Sequence, residues 1–202
     1  MAYSDFTFKQ LRTAFGIENR IKSVFEHEII PVEISVSLKK AVSTAELLPM
    51  RTEKAKSELL VLPILLDIWE RNEHFFTIYS GENLNADKAN GLTGECDFIL
   101  AKDVNTYEIS LPIISIVEAK RDNIEQGVAQ CASQLLGARI FNEESNPVQI
   151  LYGCVTNSRE WQFLRLIDNQ VEVHPELFYI TEVEKILGAF QQIIDYYKLV
   201  LK

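Results

Sequence analysis

Asp97, Glu118 and Lys120 are the residues of this 202-residue chain whose types and spacing could do chemistry together. Glu118 and Lys120 stand two apart, just after the run Ile113-Ile114-Ser115-Ile116-Val117, which is apolar enough to be a strand buried on both faces. On a strand, residues two apart leave the same face, so a carboxylate and an ammonium would point together. Asp97 closes the stretch Gly94-Glu95-Cys96-Asp97 inside an earlier β-type run. Aspartate is disfavoured within strands, so an acid there calls for a reason. From a neighbouring strand it would set a second carboxylate beside Glu118. Hard divalent cations such as Mg²⁺ (or Mn²⁺) prefer carboxylate oxygens and keep several waters. Such an ion polarises a phosphoryl oxygen and lowers the pKa of water. A lysine beside it orients or deprotonates the attacking water, or neutralises charge in the transition state. The chemistry implied is metal-dependent phosphodiester hydrolysis. Spacing alone also admits an exposed Glu118/Lys120 pair at a strand end, which would contribute little.

A sheet must carry these residues, and the pattern supplies one. Residues 92–101 alternate as a strand, 102–105 read as a turn, and 107–119 form a second strand with Pro112 at an edge or bulge. The turn between them makes the pair antiparallel. An earlier strand, 75–80, ends at Gly81, and a loop rich in Asn and Asp follows over 83–91. Asp122-x-x-Glu125 reads as a capping-box start for a helix running to about Asn142. Strands then follow over 148–156 and 160–167, around Asn157-Ser158-Arg159, so the helix permits a parallel crossover.

Upstream, 4–15 is a short helix or docking segment, and 34–48 and 52–71 have helical spacing, the latter kinked or broken at Pro63. Downstream, 171–173 and 177–180 are short extended pieces. Thr181-x-x-Glu184 is a second capping box, opening a helix with Val183, Ile186, Leu187, Phe190, Ile193, Ile194 and Tyr197 on one face. The expected fold is α/β, a mixed sheet flanked by helices on both faces. It forms one domain over 1–202, with N-terminal helices in 1–72, a sheet core in 73–168 and a C-terminal helix in 181–202.

Composition narrows the function. With 47% hydrophobic and 24% charged residues the chain reads as a soluble globular protein with a real core. A net charge of −9 excludes a non-specific DNA coater, which shows a basic stripe. It does not exclude a nuclease, because a metal inverts the local sign of an acidic site. Nucleic-acid binding would then rest on a local basic patch, a homodimer or a partner subunit. Cys96, Cys131 and Cys154 form no CxxC pair, so neither a disulfide framework nor a zinc ribbon is indicated, and buried thiols in a reducing cytoplasm are the simplest reading. His27, His74 and His174 are scattered and make no metal set. No run reaches the roughly 18 apolar residues of a membrane span, and Met1-Ala2-Tyr3-Ser4-Asp5 is no signal peptide. The expectation is a cytoplasmic location without membrane association.

Taken in order, the motifs resemble a known family. They are Gly94-x-x-Asp97, Glu118-x-Lys120 at the end of the next strand, a following helix with Gln126, Gln130 and Gln134, and Val155-Thr156-Asn157-Ser158-Arg159-Glu160-Trp161-Gln162-Phe163. This set is similar to the PD-(D/E)xK nuclease superfamily, which includes restriction endonucleases and the nuclease domains of recombination enzymes. The last stretch resembles the TNG-x-x-W-x-F segment in the nuclease domains of type I restriction subunits. The resemblance spans roughly residues 53–166.

It implies a restriction endonuclease-like core and a Mg²⁺-dependent DNA endonuclease. Asp97 and Glu118 would be metal ligands, Lys120 would orient water, and Gln130 would complete the catalytic set by positioning. A glutamate on the helix before the first core strand would be an outer ligand, with Glu58 the best match and Glu53 the alternative. Arg121, Gln134 and Arg159 would contact substrate, with Lys102 a further candidate. Two departures stand out. Cys96 replaces the proline before the aspartate, and the tyrosine found four residues after the glutamine in many members is Gln134 or Ala138 here. Two other readings remain. One is a nuclease-fold module that binds nucleic acid or a protein without turnover, and the other is an unrelated α/β domain with a chance Glu-x-Lys.

Overall fold

The structure, a computed structural model, describes residues 1–102, 108–120, 122–143 and 148–201. A 3-10 turn at Tyr3–Asp5 leads to helix α1, Phe8–Phe15. Thr7 accepts the Gln10 N–H, the Gln10 side chain accepts the Thr7 N–H, and Gly16 closes the helix at φ 68°. Strand β1, Glu18–Ile21, follows. Helix α2, Val36–Glu46, starts on Ser35, whose hydroxyl accepts the Leu38 N–H at 3.1 Å. Helix α3, Glu53–Lys56, passes through a π-helical turn, Ser57–Val61, into α4, Leu62–Arg71. The break expected at Pro63 takes this form. Proline has no N–H for the helical ladder, and the turn before it widens so that Leu62 donates to Ser57.

Next come β2 (Phe76–Asn83), β3 (Glu95–Lys102), β4 (Ile113–Ala119), α5 (Ile124–Glu143), β5 (Ile150–Thr156), β6 (Glu160–Ile167), β7 (Gln170–Val173) and β8 (Phe178–Tyr179). A 3-10 turn, Ile180–Glu182, then opens α6, Val183–Val200. Contrary to expectation, β2 does not end at Gly81. The glycine takes φ 69° and the pairing continues, Ser80 with Phe98 and Glu82 with Cys96. Both capping boxes also differ from expectation. At α5, Asn123 rather than Asp122 accepts the Glu125 N–H, at 2.9 Å. At α6 the 3-10 turn occupies the entry and no side chain caps the helix. Of the turn expected at 102–105, Asp103, Val104 and Asn105 lie outside the described residues, as do Tyr107 at the head of the expected second strand and Arg121.

Among the described residues the sheet has eight strands in the order β1-β7-β6-β5-β4-β3-β2, with β8 on β6. β3 and β4 are antiparallel, β4 and β5 parallel across the α5 crossover, and β5 and β6 an antiparallel hairpin. The expected mixed α/β architecture is therefore present. Along β3 the faces alternate with the pleat: Phe98 and Leu100 join one core, Ile99 and Ala101 the other. The first core lies under α2, α4 and α6, the second under α1 and α5. The whole predicted face of α6 is buried. Strand β1, which the pattern did not show, is exposed along its length and lies parallel to β7 at the sheet edge. It is pinned there by Glu172 of β7, which accepts from Arg20 Nε at 3.0 Å and Lys22 Nζ at 3.1 Å, and from Arg165 of β6 at 2.7 Å. Among the described residues, no helix is long and apolar enough to cross a membrane.

Candidate active site

The site forms where β3 and β4 part. Their ladder holds as far as the Phe98–Val117 pair. Beyond it, β4 stays with β5 through Glu118–Val155 and Ala119–Thr156, and the Lys120 N–H donates to the Thr156 carbonyl at 2.7 Å. The Ala119 N–H, left without a β3 carbonyl, donates instead to Asp97 Oδ2 at 2.7 Å. This is the reason for an aspartate inside the strand: its carboxylate closes the gap that the parting strands leave.

Glu118 turns to the face covered by α5. It is 3% exposed, and donors surround it. Lys120 Nζ donates to Oε1 at 2.6 Å, Gln130 Nε2 to the same oxygen, and Gln134 Nε2 to Oε2 at 2.7 Å. The glutamines, four apart on α5, form a clamp on one carboxylate. Helix and strand approach closely at Gly127. A Cβ there would lie 2.5 Å from Val155 Cγ1 and 3.0 Å from Lys120 Cγ, so the lysine stem runs across a helix position that only glycine leaves open.

The charges are unbalanced. Burial, and then the Asp97 charge, push Glu118 from the usual 4.5 up to about 7. Burial also raises Asp97, against the Ala119 N–H and Lys120, while Glu53 and Glu95 push it further. Burial opposes the Lys120 ammonium, but Glu118, Glu53 and Asp97 together hold its pKa above the usual lysine value. Lys120 is therefore a cation at neutral pH and no general base in this state.

A cavity of about 440 Å³ opens beside Asp97, lined in part by Glu53, Glu58 and Glu95. Glu58, the preferred outer ligand from the sequence, is exposed and faces Lys54 at 3.8 Å. Glu53, the alternative, is half-buried, and its charge acts on both Asp97 and Lys120. Gln134, expected to touch substrate, is fully buried and reaches only Glu118. Gln126, on the same ladder, is exposed. Lys102 lies at the opposite end of β3, roughly 16 Å along the strand from Asp97, with its ammonium 4.4 Å from the Phe75 ring centre. Arg159 is exposed on the β5–β6 turn beside a different cavity, and Arg121 lies outside the described residues. Gly127 and the Ala119 N–H were not singled out from the sequence. A lone glycine within a helical pattern was the available signal for the first.

Among the described residues, no three His, Cys, Asp or Glu side chains stand close enough for a ready-made metal cluster. The donor set nonetheless suits Mg²⁺, which is held through one or two carboxylates and otherwise by waters and substrate phosphate. Two hard carboxylates with raised pKa values share a single lysine and are short of positive charge, which a divalent ion would supply.

No family model and no solved structure matches the chain. Among curated proteins it is similar to Crinkler effector protein 5 of Phytophthora infestans, at 24% identity over 151 residues. The match takes in 75% of this chain and 39% of that protein, so the chain spans about two-fifths of its relative's length.

Proposed function

We propose that this chain is a divalent-metal-dependent DNA endonuclease of the PD-(D/E)xK type, hydrolysing phosphodiester bonds at the ends of β3 and β4. The observation that carries the reading is the buried Glu118 carboxylate, oriented by Lys120, Gln130 and Gln134 and set beside a second carboxylate, Asp97, where two strands part. Burial, a charge partner and a raised pKa together mark a candidate functional group. The chain-order resemblance to that superfamily supports the same reading, and the similarity to an effector protein names no reaction.

Asp97 and Glu118 would hold Mg²⁺ or Mn²⁺, which supplies Lewis-acid polarisation of the phosphoryl oxygen and a lowered pKa for water. Lys120, kept as a cation, neutralises charge building on the phosphoryl oxygens and orients the attacking water. Gln130 and Gln134 act through Glu118, fixing the plane of its carboxylate. Glu53 faces the same opening from α3 and draws the cation in. Arg159 is a candidate contact to more distant phosphate.

The test is incubation of the purified chain with single-stranded and duplex DNA in Mg²⁺ or Mn²⁺. Cleavage is expected, and Lys120→Ala is expected to reduce it by roughly 10³-fold. Cleavage that survives Lys120→Ala, or none with either metal, would overturn the assignment.

Two observations favour a second reading, a binding module without turnover. Both Glu118 oxygens already accept hydrogen bonds from the protein, and a chain of net charge −9 has little general hold on DNA. DNA binding without cleavage under any divalent metal would favour it.

A further inference from the structure

A second cavity, of about 750 Å³, lies beside the first. Helix α3 and its π turn divide the two. Glu53, Ser57 and Glu58 face the acidic cavity, while Lys56 and Leu60 face this one. Its polar wall continues the strands that carry the site. Asp122 stands two residues after Lys120, and Asn157 follows Thr156, whose carbonyl receives the Lys120 N–H. Asn157 Nδ2 donates to the Asp122 carbonyl at 3.0 Å and closes that wall. Much of the rest of the lining is aliphatic: Val42, Ala45, Leu48, Leu60 and Ile180.

The lining charges cancel, Lys56 and Arg159 against Glu46 and Asp122, and Lys56 and Asp122 face each other at 3.8 Å. Ser158 is 1% exposed in the wall, and its hydroxyl meets no partner among the described residues. A buried hydroxyl without a partner is costly and is an available donor and acceptor for a ligand edge. A cavity of this size is within the usual range for small-molecule groups. With a largely aliphatic lining, charges that cancel and hydrogen-bonding groups at Asn157 and Ser158, it suits a neutral group with apolar faces and a polar edge, and suits a phosphate poorly.

We propose that this cavity receives an unpaired nucleobase next to the scissile phosphate, so that the substrate is single-stranded or locally extruded nucleic acid. The inference rests on the phosphodiester reading of the neighbouring site, which identifies what must lie within two residues of Lys120. A base within an intact duplex is stacked on both sides and paired along its edge, and cannot enter. The acidic balance of the chain agrees, because a grip on the duplex backbone draws on many cationic contacts, whereas a base pocket does not.

The experiment is fluorescence-anisotropy binding in Mg²⁺, with the full chain carrying Asp97→Asn to prevent cleavage. The probes are a short labelled DNA single strand, its duplex, and single strands in which each base in turn is replaced by an abasic sugar. Expected is single-strand binding about tenfold tighter than duplex, with one abasic position weakening binding about tenfold. Val42→Trp, which fills the cavity, removes sensitivity to that position and leaves the others unchanged. Leu48→Glu, at the exposed rim, has the same expected effect should the first variant not fold. Equal binding of duplex and single strand, indifference to every abasic substitution, or no DNA binding at all would overturn the pocket. Base-dependent binding by the Asp97→Asn chain, together with no cleavage by the unsubstituted chain under Mg²⁺ or Mn²⁺, would overturn the nuclease reading and leave the pocket. Cleavage without base-dependent binding would do the reverse.

Discussion

Glu118 on β4 and Glu172 on β7 belong to one sheet and are both enclosed, at 3% and 0% exposure, yet their neighbours give them opposite characters. Burial works against the charge of each. At Glu172, hydrogen bonds from Arg20, Arg165 and Lys22 outweigh burial and hold the carboxyl down to about 2. At Glu118 the donors are one ammonium and two neutral amides, with Asp97 opposing them, and the carboxyl rises to about 7. Glu172 is a completed ion cluster that fastens the edge strand β1. Glu118 is an incomplete one, geometrically fixed and short of positive charge. Burial alone therefore does not set the character of a carboxylate; the balance of charge around it does.

The sharpest way to break this comparison is to neutralise each glutamate in turn. Glu118→Gln keeps the shape, and DNA cleavage is expected to fall roughly 10³-fold while the urea midpoint stays close to wild type. Equal loss of folding would make Glu118 structural after all. Glu172→Gln should do the opposite, costing about 3 kcal/mol of stability because it leaves the buried Arg165 guanidinium without its carboxylate. Specific activity of the folded fraction should be preserved, with urea titration and cleavage assayed together.

Melting against pH without divalent ions separates the two by sign. The contribution of Glu172 is present above its unfolded value of 4.5 and is lost as pH falls towards about 2. That of Glu118 is present below 4.5 and is lost as pH rises through about 7. Added Mg²⁺ should raise the melting temperature chiefly at the upper end, and Glu118→Gln should remove both trends there. A melting temperature that stays flat between pH 5 and 8 would contradict the reading. The smallest effect is expected at Gly127→Ala. Its methyl group would press on Val155 and the Lys120 stem, lowering the turnover number about tenfold with KM unchanged. A change confined to stability would limit Gly127 to packing.

That Glu118 and Lys120 come together with Asp97 was legible in the sequence because a strand's period of two is rigid. Glu118 and Lys120 share a face on any regular strand, and an aspartate within a β-type run announces itself. The fold followed from the same patterns where one face is apolar, as on α6. Legibility failed where local geometry departs from the regular period. The resemblance favoured Glu58, yet both glutamates line the cavity, and Glu53, five residues earlier and half-buried, is the one whose charge reaches Asp97 and Lys120. Gly81 was read as punctuation because a glycine at positive φ usually ends a strand, and here the ladder crosses it. Strand β1 carries no apolar alternation, its edge position resting on ion pairs made by residues about 150 positions away. Gln134 could not be told from a solvated side chain until α5 was seen against β4, because its period is that of the whole polar ladder.

The central claim is that Asp97 and Glu118 together form a divalent-cation site. It is tested most directly by anomalous diffraction from crystals soaked in Mn²⁺. The account predicts a single strong peak bridging the two carboxylates, with metal–oxygen distances of roughly 2.1 Å, and loss of that peak in Asp97→Asn. Peaks elsewhere only, or an unchanged peak in the variant, would contradict it.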